Sequence, residues 1–203
     1  MPENRSECLV RRIFTHRLGF TATKIPEAPP SRTADFEFSL GRQLRFVAEV
    51  KNLTEHDVPT YTVPGTPLMA LPRLYMRNDN GPSRVSRRIV DAADQLKAYT
   101  CPKVLVLVND ESQMSFREDF RPGFLGYDQI GTTWDGSPEV AWLAPRGLLR
   151  DLRQARTLID LYVWVEGRPD DDGRDLWFAS TNQVGWQIGQ RFLRDNVIRP
   201  RAA

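Results

Sequence analysis

The sequence predicts an α/β fold in which a mixed central β-sheet is flanked by helices. Three observations carry that prediction. Residues 33–53 read as two extended runs joined by Gly41-Arg42, a β-hairpin. Lys103 to Val108 is an almost unbroken apolar run of strand length. Between them a helical stripe of Val85, Ile89, Ala92 and Leu96 separates the two, so the strands on either side of it are expected to be parallel.

The elements follow in order. Residues 4–18 place Leu9, Val10, Ile13, Phe14 and Leu18 at helical spacing, and Gly19 ends the run. Residues 20–32, with Pro26, Pro29 and Pro30, read as a connector. The arms of the hairpin are Thr33–Leu40 and Gln43–Leu53. The centre of the second arm, Phe46-Val47-Ala48-Glu49-Val50, is apolar enough to be central in the sheet. Residues 54–83 hold Pro59, Pro64, Pro67, Pro72 and Pro82 and read as a long irregular segment lying over a cleft. A helix at about 84–99, capped by Ser83 or Ser86, stops before Pro102. Residues 110–138 are polar and dotted with glycine. A helix over 145–156, strands at 158–165 and 176–179, and a helix over 184–197 complete the chain. One domain spans 1–203, with a core at about 4–109 and a C-terminal elaboration at about 110–203.

Composition narrows the function classes. The chain is 40% hydrophobic and 27% charged, ordinary for a globular protein, and no 18-residue apolar run offers a membrane span. Met1 to Arg12 is polar and charged, so a cytoplasmic location is expected. Cys8 and Cys101 make neither a disulfide framework nor a CxxC pair, and read as reduced, partly buried thiols. His16 and His56 are too few for a histidine metal site. There is no GxSxG elbow and no GxxxxGK[ST] loop. Net charge is +2, but lysine occurs only at 24, 51, 97 and 103, leaving 24 of the 28 basic residues as arginine. Arginine suits phosphate, though a genome rich in arginine codons gives the same bias.

The chemistry concentrates at Glu49-Val50-Lys51. In a strand, side chains two apart share a face, so Glu49 and Lys51 emerge side by side while Val50 packs behind. Charges inside an apolar strand are costly unless they pair or bind something. Asp35, on the preceding arm, brings a second carboxylate near Glu49. Two converging carboxylates suit a hard divalent cation. A lysine beside them can orient a water and offset charge developing on a phosphate.

This arrangement resembles the PD-(D/E)XK, or restriction endonuclease-like, nuclease superfamily over residues 7 to about 109. The matching order is a helix bearing Glu7, a strand region with Asp35, the strand with Glu49-Val50-Lys51, a helix with Gln95, and the strand Val104–Val108. The resemblance implies a restriction endonuclease-like core, with Asp35, Glu49 and the Val50 carbonyl holding Mg²⁺, for which Mn²⁺ substitutes. It implies that Lys51 positions the attacking water, that Gln95 supports Lys51 or a phosphate, and that Glu7 is an outer or second-metal ligand. The expected function is Mg²⁺-dependent phosphodiester hydrolysis, with DNA as the partner. The alternative is a catalytically inactive nuclease-fold module that binds nucleic acid or protein. A homodimer, or a subunit of a larger complex, fits the same reading.

The resemblance has departures. Ala34, not proline, precedes Asp35, and nothing after residue 110 matches a family pattern. Each residue also has an ordinary structural use. Asp35 could sit on a strand edge, and Glu49 with Lys51 could be an exposed ion-pair face. Asn4 and Glu7 have capping-box spacing, and Gln95 could be a helix-flank amide. Arg84, Arg87 and Arg88, and Arg146, Arg150 and Arg153, are read first as solvated faces and second as phosphate grips. Asp170-Asp171-Asp172-Gly173 lacks the flanking acids of a calcium loop and reads as a polar turn. The five tryptophans, all in the second half, are read as core.

Overall fold

The computed structural model describes residues 3–27, 33–53, 81–109, 119–132, 138–166 and 175–194. Helix α1 (Arg5–Arg12) starts at Asn4, whose Oδ1 accepts the Glu7 N–H at 2.9 Å. It continues as a π-helical turn over Ile13–Arg17 and ends at Gly19, whose φ of +69° is left-handed. Leu9, Val10, Ile13 and Phe14 form its buried stripe.

Strands β1 (Thr21–Lys24), β2 (Phe36–Leu40) and β3 (Gln43–Asn52) form an antiparallel meander. The β2–β3 hairpin turns at Gly41, with φ +61°, where the sequence places it. Strand β1 is a correction, because part of the expected connector at 20–32 is a strand. Thr21 and Thr23 face out while Ala22 and Lys24 are half-buried, an alternation too short and too polar to stand out.

Helix α2 (Gly81–Leu96) starts before the expected residue 84. Pro82 lies in its first turn, which tolerates proline because the N–H groups there have no helical partner. Neither serine caps it. Both lie inside the helix, and the buried Ser86 Oγ donates to the Gly123 carbonyl at 2.6 Å. The lid-like role expected of 54–83 falls on residues 54–80, outside the described residues.

Strand β4 (Lys103–Asn109) is parallel to β3, as the intervening helix predicts. The weakly patterned region yields a short helix, α3 (Phe120–Leu125), and a separate hairpin of β5 (Tyr127–Thr132) and β6 (Pro138–Leu143). Then come α4 (Arg146–Leu158), β7 (Leu161–Glu166), β8 (Asp175–Ser180) and α5 (Gln183–Arg194). The main sheet is six-stranded, open and mixed, in the order β1-β2-β3-β4-β7-β8. Strands β3, β4 and β7 are its parallel centre, and β8 returns antiparallel. The fold is therefore a mixed α/β sheet flanked by helices.

Two cores cover its faces. One gathers α1 and its π turn with Phe36, Phe38, Phe46, Val104, Val106 and Val163. The other gathers α2 and α4 with Val47, Leu105, Leu107, Tyr162 and Trp164. Trp164 is buried and Trp177 packs against that second core, whereas Trp186 is 41% exposed and so is not core. Cys8 is exposed and Cys101 half-buried, and both are free. Arg146, Arg150 and Arg153 are solvated on α4. Arg84 instead ties α2 to the end of β3, with Nη1 donating to the Leu53 carbonyl at 3.1 Å. The acidic turn at 170–173 lies outside the described residues. Among the described residues no helix is long and apolar enough to cross a membrane.

Candidate active site

Alternation along β3 builds the site. Phe46, Ala48 and Val50 enter the α1-side core, and Val47 enters the α2-side core. Glu49 and Lys51 therefore share the α2 side with Val47. The backbone alternates as well. Ala48 O accepts from Asp35 N at 3.0 Å, so the peptide groups of even-numbered residues face β2, while the Val47 and Leu53 N–H groups bond on the β4 side.

Asp35 sits just before β2. Phe36 pairs with Ala48 and Glu37 with Val47, so one further step of that register sets Asp35 opposite Glu49. Its side chain substitutes for the strand that has ended there, with Oδ2 accepting the Val50 N–H at 2.8 Å. By the same alternation the Val50 carbonyl turns to this edge, beside Asp35. Asp35 is thus at the end of an interior strand, with its N–H bonded to the Ala48 carbonyl and its own carbonyl accepting from the Ile25 N–H at 2.9 Å, and it is a neighbour of Glu49 rather than a surface strand-edge residue.

Glu49 is 2% exposed. Its Oε1 meets Lys51 Nζ at 2.7 Å. Lys51 Nζ also donates to Gln95 Oε1, and Gln95 Nε2 donates to the Thr33 carbonyl at 3.3 Å. Gln95 therefore spans the gap between α2 and the strand, and fixes Lys51. Glu49 Oε2 is buried and has no hydrogen-bond partner among the described residues. Burial first, then the Asp35 carboxylate, push the Glu49 carboxyl from an ordinary 4.5 up to about 7, against the downward pull of Lys51 and Gln95. An exposed ion-pair face does not describe this arrangement.

Glu7 lies on α1, on the other side of the sheet end. Its Oε1 accepts from Asn4 Nδ2 at 2.8 Å, and its Oε2 meets Lys24 Nζ at 2.5 Å. The Lys24 ammonium also reaches Asp35 Oδ1 at 3.3 Å. Asp35, Glu49, Lys51 and Gln95 thus come together as the sequence anticipates, and among the described residues Glu7 joins them through Lys24. Sequence reasoning missed Lys24 because it missed β1. The signal was its place in the inward phase of Phe20, Ala22 and Lys24.

The donor set fits a hard divalent cation. Two carboxylates neighbour each other, Asp35 just before β2 and Glu49 on β3, and one Glu49 oxygen has no partner among the described residues. Among the described residues no three His, Cys, Asp or Glu side chains converge as a ready-made cage, so two carboxylates and the carbonyl are the available ligands. Comparison with protein-family models, curated proteins and solved structures finds no match to this chain.

Proposed function

We propose that the chain is a Mg²⁺-dependent nuclease with a restriction endonuclease-like core, hydrolysing phosphodiester bonds in DNA. The observation that carries the reading is Glu49, a carboxylate 2% exposed, with one oxygen on Lys51, the other unsatisfied among the described residues, and Asp35 alongside. Burying like-charged groups together is unfavourable, and a cation between them removes that cost.

Asp35, Glu49 and the Val50 carbonyl would hold the ion. Bound there, a divalent cation supplies charge neutralisation at a phosphoryl oxygen and an acidified water. Lys51 lies on the same strand face as Glu49, so its ammonium is placed to donate to the attacking water or to a non-bridging phosphate oxygen. That contact strengthens as negative charge builds on the phosphoryl group. Gln95, anchored on the Thr33 carbonyl, keeps the ammonium from swinging away, which preserves the geometry between substrates.

Supercoiled plasmid incubated with the protein should be nicked in Mg²⁺ and stay intact in EDTA. Lys51→Ala should lower nicking by at least about a hundredfold while a gel shift with Ca²⁺ is retained, because DNA affinity is spread over many phosphate contacts. Undiminished nicking by the variant contradicts the assignment of Lys51. Gel-shifted DNA that no divalent ion causes to be cut would identify a binding module instead.

A further inference from the structure

The end of the sheet carries a cation that the chain itself provides. Lys24 closes β1, and its ammonium lies 2.5 Å from Glu7 Oε2, 3.3 Å from Asp35 Oδ1 and 5.1 Å from the centre of the Phe36 ring. Glu7 is held from behind by Asn4 Nδ2 at 2.8 Å. The Glu7 and Asp35 side chains are only 10% and 17% exposed, and both touch one ammonium, so they lie within about 6 Å of each other. Two sheltered carboxylates at that separation are themselves able to bridge a small cation, and here the bridge is lysine.

The residue type matters. Arginine is this chain's default basic residue, at 24 positions against 4 for lysine, yet among the described residues the basic groups touching Asp35 and Glu49 are Lys24 and Lys51. A guanidinium is a broad planar fork, whereas an ammonium is compact and nearly spherical. The ammonium therefore contacts both carboxylates from a smaller volume than a guanidinium would need.

We propose that Lys24 is a built-in cation. Its ammonium fills the gap between Glu7 and Asp35 in which a second divalent ion would sit. The site then takes one divalent ion, on the Asp35–Glu49 side, and Glu7 is a positioning residue that holds Lys24 against Asp35. Two cations cannot share one gap of this width, so the ammonium excludes a second ion by repulsion and by volume. Asp35 stands between the two, facing Lys24 through Oδ1 and the Val50 amide through Oδ2. This inference rests on the divalent-ion reading of Asp35 and Glu49.

The test counts Mn²⁺ bound per full-length chain by calorimetry at neutral pH. The parent should bind one ion. Lys24→Gln removes the charge at similar size and should bind two, and the double variant Lys24→Gln/Glu7→Gln should return to one. Glu7→Gln alone should still bind one ion, because Lys24 keeps its contact with Asp35. Two ions in the parent, two ions in Glu7→Gln, or one ion in a Lys24→Gln chain that circular dichroism shows to be folded would each overturn the proposal. If Lys24→Gln does not fold, the ion count of Lys24→Met, which keeps an unbranched stem without the charge, decides in its place. No Mn²⁺ bound by the parent would be a different failure, that of the divalent-ion reading itself, and the inference would go down with it.

Discussion

Strand β3 has two faces made from alternate residues, and they do opposite things. On the α1 side Phe46 joins Phe14, Phe20 and Phe38 in a ring cluster, with centroids 5.1 Å from Phe38, 5.2 Å from Phe20 and 6.0 Å from Phe14. Ala48 and Val50 continue that apolar face. On the α2 side Val47 starts an equivalent core with Leu105, Ile89 and Leu96, but two residues later the face changes to Glu49 and then Lys51. A strand can carry a buried carboxylate on one side because ring packing on the other secures its position. The same rigidity keeps Asp35, Glu49 and Lys51 within reach of one another, which a loop would not do.

The two faces should respond differently to mutation. Phe46→Ala empties part of the ring cluster and should cost about 3–5 kcal/mol in a urea or thermal unfolding experiment. A loss below about 1 kcal/mol would mean that the α1-side core does not secure β3.

The charged face should show itself through pH. The Glu49 carboxyl is raised from 4.5 to about 7 in the folded chain. The folded state therefore binds a proton that the unfolded state has released, and this favours folding at low pH. In EDTA that contribution is complete below about pH 4.5 and is lost as pH rises to about 7, a change of at most about 3 kcal/mol. Glu49→Gln should flatten that part of the stability–pH profile, and no such variant on the ring-cluster face should do so. An unchanged slope in Glu49→Gln would mean that another group titrates.

The smallest effect is expected at Gln95. Lys51 keeps its 2.7 Å contact with Glu49 when the amide is removed. Gln95→Ala should therefore leave stability within about 1 kcal/mol and reduce nicking on the order of tenfold, measured as a fall in kcat with little change in KM. A loss as large as that of Lys51→Ala would make Gln95 a direct contact of the substrate.

The parts of the fold legible in the sequence were those with strong periodicity. Phe46 to Lys51 reads as a strand with a polar pair on one side, Val104 to Val108 as a buried strand, and Val85 to Leu96 as the helix between them. That order is enough to place Asp35, Glu49, Lys51 and Gln95 together. Strand β1 was hidden because Thr21-Ala22-Thr23-Lys24 carries one small apolar residue in four and borders Pro26. Its pairing with β2 and the Phe20 and Phe36 contacts stabilise it, and these are tertiary. With β1 went Lys24, and with Lys24 the reason that Glu7 belongs to the site. Helix α3 was hidden for a related reason. Phe120, Pro122 and Gly123 make a poor helix by propensity, and packing against α2 holds it, with Gly123 so close to Val85 that a side chain there would collide.

If Asp35 and Glu49 form the proposed cation site, their like charges are strained without the cation. Thermal melts of the parent and Glu49→Gln at pH 8, each in EDTA and in millimolar Mn²⁺, test it most directly. In EDTA the variant should melt a few degrees above the parent, because it lacks the buried charge. In Mn²⁺ the parent should rise by several degrees, since an ion that binds only the folded chain stabilises it, and the variant should barely move. A variant that gains as much from Mn²⁺ as the parent, or a parent that gains nothing, would contradict the claim.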